Sequence, residues 1–367
     1  MHNNRAAPRS QSGVAHVIIA VVVVVLAVLT YVVLRDAMKK ATPHRSTSTS
    51  PTSSAPPNID ADALASTAGP AVVSIDATLA GGVHSFASGM LLTGAGEVLS
   101  NNNAIAGATA IAVKTGNGKT YAATVRGYDV SDDVAVLGLD GASGLPTINL
   151  GDAATVSVGD PIVAVGRVAG SNEITRQPGS VTALHRQIVA GDVNDPAGIE
   201  TLHDMVQLDA PTRPGDSGGP IVDAHGKVIA MSTTASAGRL FHGQSVVTTF
   251  ATPIDTVVGV ADRVDAGANT ATVHVGPTAA LGVAVTSASG GASSRVVRVQ
   301  PGGPAAAAGL VPNAVIVSVD DATIATSADL DAILSRHRPG DVVNVDWADT
   351  TGTFHTSEVR LVSGPPA

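Results

Sequence analysis

The sequence predicts a mainly β fold: a large domain of short strands, preceded by one transmembrane helix and followed by a smaller α+β module. In the range 59–265, short runs of Val, Ile, Ala and Leu alternate with Gly, Asp and Asn. This pattern is typical of all-β barrels and sandwiches. The range 274–363 has its own strands and a helical pattern with an N-cap, and the apolar run Val17–Leu34 supplies the third element.

The run Val17–Leu34 is apolar except for Thr30. As a helix it would be roughly 27 Å long, close to the thickness of a bilayer core. The alternative is a cleaved signal peptide, but the run is long for one and no small-residue cleavage site follows it. We therefore expect residues 17–34 to be an uncleaved anchor behind an N-terminal tail of residues 1–16.

Residues 35–58 contain a Ser/Thr/Pro tract, Thr42–Pro57, which cannot bury enough apolar surface to fold and should be an extended tether. The positive-inside count does not favour export, because more Lys and Arg follow the helix than precede it. Tethers of this kind commonly hold a domain away from a membrane. Together with the resemblance described below, this habit leads us to expect extracytoplasmic domains.

Composition excludes several kinds of function. The net charge of -9, with no long charge run, argues against a nucleic-acid partner, because such binding usually needs a basic face. The absence of cysteine removes disulfides, thiolate chemistry and Cys-ligated zinc. We expect neither a cofactor nor a metal site.

Ser217 lies between glycines in the run Arg213-Pro214-Gly215-Asp216-Ser217-Gly218-Gly219-Pro220. Glycines on both sides permit a tight turn, so the hydroxyl can stand exposed while the N–H groups of Gly215 and Ser217 point to one spot. That spot is a potential oxyanion hole. A Gly-rich turn with a chance serine is the alternative, and a serine alone is a weak nucleophile that needs a base.

The motif G-D-S-G-G-P resembles the signature of trypsin-like serine peptidases, and other segments narrow the resemblance to the HtrA (Deg) branch. The resemblance implies a trypsin-like double β-barrel over residues 59–265 and a serine endopeptidase in which Asp133 orients the base. Four segments carry it in the order of that family: Ala87–Leu92 with Gly96–Asn102, which resembles the strand-turn-strand that delivers the base, then Asp133–Leu137, Gln207–Ala210 and Phe250–Asp255.

The chain departs from the family at the base. Where the family reads T-N-N-H-V, this chain reads S-N-N-N-A, so Asn103 stands at the expected histidine. An amide cannot take a proton from Ser217 near neutral pH. The catalytic set that the resemblance implies is therefore Ser217, Asp133 and Asn103, and we expect proteolysis to be absent or strongly impaired. Asp133 can alternatively be a residue that simply begins a strand after a turn.

Another histidine is the alternative base. Four histidines are candidates, but none lies in a segment that resembles the missing motif, and an exposed or merely packed histidine explains each of them: His84, His185, His203 and His225. An active HtrA-like endopeptidase that uses a displaced histidine is nevertheless the competing function.

Residues 274–363 resemble a PDZ domain of the HtrA kind, because Pro301–Leu310 reads P-G-G-P-A-A-A-A-G-L, close to that family's P-G-S-P-A-x-x-A-G-L. The resemblance implies that Leu281, Gly282 and Val283 offer backbone N–H groups to a peptide carboxylate. A peptide would then be added as a strand between Val283–Val285 and the helix from Asp329. An Ala/Gly-rich α+β domain of no particular function is the alternative.

As a whole, the chain resembles the membrane-anchored actinobacterial type of HtrA-like protein. The expected partners are unfolded proteins or peptide carboxyl termini and, through one helix, the membrane, in envelope protein quality control or sensing. A homo-oligomer is an open alternative. A trimer is not favoured, because HtrA-like enzymes commonly trimerise through aromatic residues ahead of the barrel and Ile59–Ala80 contains none.

Overall fold

The computed structural model describes residues 59–190, 200–213, 215–233, 249–287 and 294–366. The predicted tail, transmembrane helix and tether, residues 1–58, lie outside these ranges. Within the described ranges, no helix is both long and apolar enough to cross a bilayer. The described residues form two β-barrels and an α+β module, which confirms the mainly β class.

Helix α1 (Ala61–Ala68) precedes the first barrel and was not predicted from the sequence. Asp60 caps its N-terminus, since its Oδ1 accepts a hydrogen bond of 2.9 Å from the N–H of Ala63. Ala65 and Ala68 are buried on one side of the helix. The helix is too short, and its buried side chains too small, to produce a clear apolar period in the sequence.

The first barrel is an antiparallel ring in the order β5-β4-β1-β2-β3-β6, closed by pairing of β5 with β6. Since aromatic residues make up only 2% of the chain, mostly aliphatic side chains fill it. Met90 lies opposite Leu99, in the strand-turn-strand expected to deliver the base. The strands are β1 (Val72–Leu79), β2 (His84–Leu91), β3 (Glu97–Ser100), β4 (Ala108–Lys114), β5 (Thr120–Asp129) and β6 (Val134–Leu139).

The second barrel closes in the order β10-β11-β12-β9-β8-β7. Helix α2 (Ile254–Asp265) follows it and buries Val257, Val260 and Val264 against the core of the first barrel. The strands are β7 (Pro161–Arg167), β8 (Ile174–Ala190), β9 (Glu200–Leu208), β10 (Pro220–Asp223), β11 (Val228–Thr233) and β12 (Thr249–Pro253).

Arg167, at the end of β7, is buried and 3% exposed. Its Nε donates to the carbonyl of Val72, Nη1 to that of Asn172 and Nη2 to that of Gly69, at 2.7–2.8 Å. Burial lowers the pKa of the guanidinium. These carbonyl oxygens replace the water that the buried cation loses, and they tie the second barrel to the chain just before and within β1.

Strand β13 (Val273–Val275) returns to the first barrel after α2 and pairs antiparallel with β5, so that His274 lies opposite Tyr128. The range predicted as the α+β module thus begins with residues that are hydrogen-bonded to a barrel strand.

The module has its own core, which includes Trp347, the one tryptophan of the chain. A helix, α4, begins at Ser327 with a capping box between Thr326 and Asp329. The main sheet has the order β15-β16-β17-β19-β20. The elements are β14 (Thr278–Ala280), β15 (Val283–Ser287), β16 (Ser294–Val299), α3 (Pro304–Ala307), β17 (Val315–Val319), β18 (Ala322–Thr323), α4 (Ser327–Leu334), β19 (Val342–Ala348), β20 (Phe354–Arg360) and β21 (Val362–Gly364).

Side chains around β13 join the module to the first barrel. The His274 ring stacks on Tyr128 with 5.1 Å between centroids, and its Nδ1 lies 2.9 Å from the carbonyl oxygen of Ser335, just after α4. The Tyr128 hydroxyl lies 3.3 Å from Thr278 Oγ1. The helix expected to flank the peptide groove is therefore connected to a barrel strand through one buried histidine.

Candidate active site and peptide groove

Asp216 holds the turn that carries Ser217. Its Oδ2 accepts a hydrogen bond of 2.8 Å from the N–H of Arg213, and its Oδ1 accepts one of 2.6 Å from Thr175 Oγ1 on β8. A Cβ at Gly166 would lie 2.3 Å from Asp216 Oδ1, so only glycine leaves space for this carboxylate. The second barrel therefore fixes the turn from within.

Ser88, on β2 of the first barrel, binds the same turn. Its N–H donates to the carbonyl of Ser217 at 2.8 Å, and its hydroxyl donates to the carbonyl of Gly215 at 2.7 Å. Gly218 has φ +80, and a Cβ there would lie 2.3 Å from the Ser88 carbonyl oxygen. The turn that carries Gly215 and Ser217 is thus clamped between the barrels.

Ser217 itself is only 7% exposed. From the flanking glycines, we expected that its hydroxyl could be exposed to solvent. The residue is instead mostly buried, because Ser88 holds the turn against the first barrel.

Asp133 lies in the turn before β6 with φ +52 and is 1% exposed. Its Oδ1 accepts a hydrogen bond of 2.9 Å from the N–H of Asn103, and its Oδ2 accepts one of 2.8 Å from Thr233 Oγ1 on β11. Burial raises the pKa of this carboxyl to about 6, although the hydrogen bonds from Asn103 and Thr233 oppose the shift. The two interpretations from the sequence are compatible, because Asp133 lies in the turn before a strand and also contacts Asn103.

Asn103 lies in a 3₁₀ turn, Asn102–Ala104, that follows β3. Its side chain is exposed, and its backbone N–H is the group that donates to Asp133 Oδ1. The structure therefore brings Asn103 and Asp133 into direct contact, on a segment that continues the strand-turn-strand next to Ser88. Chemically, the amide can donate to a carboxylate and accept from a hydroxyl, but it cannot shuttle a proton.

The other histidines named above have neighbours of their own. His84 Nδ1 lies 2.6 Å from Asp76 Oδ1, at the start of β2 and four residues, or roughly 13 Å of strand, from Ser88. His185 Nδ1 lies 2.5 Å from Asp204 Oδ1, and both of these side chains are exposed. His203 and His225 are exposed as well. All four histidines are therefore exposed to solvent, which is the alternative to a displaced base that the sequence left open.

The predicted peptide loop also has a defined geometry. Leu281 is buried, and its carbonyl accepts a hydrogen bond from the N–H of Ala305, while the carbonyl of Gly282 accepts one from the N–H of Gln300. In a trans peptide, the N–H of the next residue points away from the carbonyl. The N–H groups of Gly282 and Val283 therefore point away from Ala305 and Gln300, respectively. Gly282 has φ +74, which only glycine adopts easily.

Sequence reasoning missed the residues that support the site. Ser88, Thr175 and Thr233 bind the Ser217 turn or Asp133 across sequence separations of 41 to 127 residues. Contacts between such distant residues leave no local pattern. The segment containing Ser88 was matched to the family, but nothing in it marks that serine as a clamp.

Comparisons with known proteins agree with this architecture. A family model of the trypsin-like peptidase domain matches residues 87–231, and one of the PDZ domain matches residues 279–348. The serine protease PepD of Mycobacterium tuberculosis is 30% identical over 305 residues, which is 80% of this chain and 64% of that protein. A probable periplasmic serine endoprotease, DegP-like, of Halomonas elongata is 31% identical over 275 residues, or 71% of this chain and 53% of that protein.

Among solved structures, the HtrA-type protease AlgW with tripeptide has 27% identity and a TM-score of 0.47, covering 83% of this chain and 97% of that one. The chain spans 64% of PepD and 53% of the Halomonas protein, less than two thirds of the length of either. With two barrels around Ser217 and one α+β module after them, this chain is an HtrA-like homologue of the trypsin-type serine proteases with one PDZ domain.

Proposed function

We propose that the chain is a membrane-anchored HtrA-like serine endopeptidase homologue with impaired proteolysis, and that it binds peptides or protein carboxyl termini in envelope protein quality control or sensing. The observation that carries the proposal is the contact between Asn103 and Asp133, in which the backbone N–H of Asn103 donates to the buried carboxylate. In the family that this chain resembles, a histidine on the equivalent segment is held by that aspartate and serves as the base.

The chemistry of this substitution supports impairment. In the serine protease subtilisin, removing the histidine of the catalytic triad reduces turnover by about a million-fold. What remains comes from oxyanion stabilisation and substrate binding alone. An endopeptidase with that residual rate would not process substrate on a biological timescale, whereas the peptide groove does not depend on a base.

The geometry of the module supports peptide binding. The N–H groups of Gly282 and Val283 point away from the bonds that hold the loop, and Val283 begins a strand at the edge of the sheet. Such an arrangement can hold a terminal carboxylate while the rest of the peptide is added as a strand. This loop and strand lie within the range that the PDZ family model matches.

Placement outside the cytoplasm is supported by the apolar run, by the Ser/Thr/Pro tether and by the word periplasmic in the name of the Halomonas relative. The charge count around residues 17–34 argues in the opposite direction.

A fluorophosphonate probe tests the catalytic part, because it labels serines that a base has activated. We expect no labelling of the folded chain under conditions in which trypsin is labelled completely. Rapid labelling that disappears in Ser217→Ala would refute the proposal and favour the competing function, an active endopeptidase with a displaced histidine. Peptide binding is measured separately by fluorescence anisotropy, because the proposed loss of proteolysis and the proposed peptide binding can fail independently of each other.

A further inference from the structure

Strand β15 lies at the edge of the main sheet of the module. It pairs with β16 on one side, and no strand of the described residues pairs with its other side. Helix α4 packs beside it, which leaves the open edge next to the helix. The proposed peptide would pair here, antiparallel to β15.

The two faces of β15 differ in chemistry. Val283 and Val285 pack against the core of the module. Side chains alternate along a strand, so Ala284 and Thr286 belong to the opposite face. The register places Ala284 opposite Arg298 and Thr286 opposite Arg295, with one extra residue of β16, the exposed Val297, bulged out between these pairs. Residues directly opposite each other share a face. The outer face beside the open edge is therefore basic.

Both arginines are available for a ligand. Arg298 and Arg295 are exposed, and within the described ranges neither is in an ion pair. Nη1 of Arg295 makes one hydrogen bond, of 3.3 Å, to the carbonyl of Asn313 on the β17 side of β16. Arg295 must therefore release this bond to extend across β15. Across β15, an added strand would lie about 10 Å from β16, twice the usual spacing. Ala284 is small, so Arg298 can extend over it toward the ligand.

We propose that this module selects carboxyl-terminal peptides with acidic side chains at the second and fourth residues from the end. The inference rests on the proposed peptide-binding function. With the terminal carboxylate held at Gly282 and Val283, the last residue lies beside Val283 and faces the core. The second and fourth residues then lie beside Ala284 and Thr286 and face the arginines.

The test uses the intact chain and two fluorescent peptides with the same apolar terminal residue, one with Glu at the second and fourth positions and one with Gln. We expect the Glu peptide to bind about three- to tenfold more tightly at low salt, since each exposed ion pair contributes modestly. At about 1 M salt, where the Debye length is about 3 Å, the preference should disappear.

Arginine variants locate the effect. Arg298→Gln should reduce the preference and Arg298→Gln with Arg295→Gln should abolish it, while Arg360→Gln should not change it. Arg360 is a matched control because it is an exposed arginine on β20, at the other edge of the same sheet. In Arg298→Glu, a peptide with Lys at the second position should bind better than the Glu peptide.

Equal binding of the Glu and Gln peptides, or a preference that survives in the double variant, would overturn this inference and leave the proposed peptide binding intact. Binding of neither peptide by the folded chain would overturn both. Circular dichroism of each variant checks folding, and Arg298→Gln gives an answer even if loss of the Arg295 hydrogen bond to Asn313 disturbs the double variant.

Discussion

The Asp133 carboxylate and the Thr233 hydroxyl join the two barrels through a buried hydrogen bond of 2.8 Å between residues 100 positions apart. The other oxygen of the same carboxylate holds the backbone of Asn103. Asp133 therefore has a structural task that does not require a histidine. These two hydrogen bonds explain how Asp133 can be fully buried although its neighbour is Asn103 and not a histidine.

Asp133→Asn should change how stability depends on pH. The native pKa, about 6, lies above the ordinary 3.8, so the folded state binds the proton more tightly than the unfolded state. Stability should therefore fall as pH rises from about 4 to 6 and then level off, with a cost of at most about 3 kcal/mol. Asn keeps one acceptor and removes the charge, so the variant should lack this decline.

The measurement is the free energy of unfolding from denaturant titrations between pH 3 and pH 8. Subtracting wild-type values removes the contributions of other groups, and Asp140→Asn, an exposed turn residue, serves as the control. A variant that is less stable by the same amount at every pH would contradict the prediction, because it would mean that Asp133 acts only as a neutral hydrogen-bond partner.

Asn103→His should create proteolytic activity. Asn103 is exposed, so the imidazole can be accommodated, and Asp133 is in place to hold it. We expect slow cleavage of casein that increases with pH through about 6.5, the ordinary pKa of histidine. Rescue should be partial, since a misplacement of about 1 Å costs about a hundred-fold.

The control for this gain is Ser217→Ala in the Asn103→His background, which should abolish cleavage. If wild type already cleaves casein and Ser217→Ala stops it, another histidine is the base. If Asn103→His is folded and inert, more than the base has been lost and the barrels act purely as a scaffold.

Gly218→Ala should destabilise the protein far more than Gly215→Ala. Both glycines have positive φ, +80 and +95, so both substitutions carry the same backbone strain of about 1–3 kcal/mol. Among the residues that the structure describes, only the Cβ at position 218 meets other atoms, at 2.3 Å from the Ser88 carbonyl oxygen and 2.4 Å from Ser100 Oγ. The clash should add about 1–3 kcal/mol, measured by denaturant unfolding. Equal losses would mean that the turn is not clamped by the first barrel.

His274→Ala should uncouple the PDZ module from the first barrel. The change removes the stacking on Tyr128 and the hydrogen bond to Ser335, with a combined cost of about 1–3 kcal/mol. Calorimetry should show the module unfolding in a separate transition at lower temperature. His355→Ala is the control, because His355 stacks on Trp347 inside the module. Separation of the transitions in both variants would argue against a special role for His274.

Protease added to intact spheroplasts should digest everything beyond about residue 58, if the tether and both folded regions are outside the cytoplasm. A cytoplasmic protein that stays intact shows that the membrane is sealed. Protection of the chain until the membrane is broken would reverse the proposed orientation and agree with the charge count instead.

Local patterns were enough to predict much of this fold. The short apolar runs of the range 59–265 predicted barrel strands such as β1, β4 and β6, and the N-cap signal preceded α4. These elements depend on neighbours in sequence. Helix α1 was not predicted, because its buried side chains are alanines, which are too small to produce a clear helical period of apolar residues. The pairing of β13 with β5 was not predicted either, because it joins residues far apart in the chain, such as His274 and Tyr128.

The features of the candidate site also fall into those that the local sequence predicts and those that depend on contacts between distant residues. The motif around Ser217 and the Asn103 departure were readable because each is a short, continuous string. Other features depend on how the two closed barrels meet. These are the hydrogen bonds of Ser88 to the Ser217 turn, the hydrogen bond from Thr175 to Asp216, and the burial of Ser217. Serine and threonine are common in strands, so no composition signal separates those that bind a neighbouring turn from those that face solvent.

Arg167 has a mechanical consequence. Its guanidinium grips the carbonyls of Gly69 and Val72, on either side of the point where the chain enters the first barrel. A pull applied at Ile59 would load these bonds together with the first pairs of β1, and since Arg167 belongs to β7, part of the tension passes into the second barrel. The entrance to the first barrel can thus bear force without β1 separating from its neighbouring strands one hydrogen bond at a time.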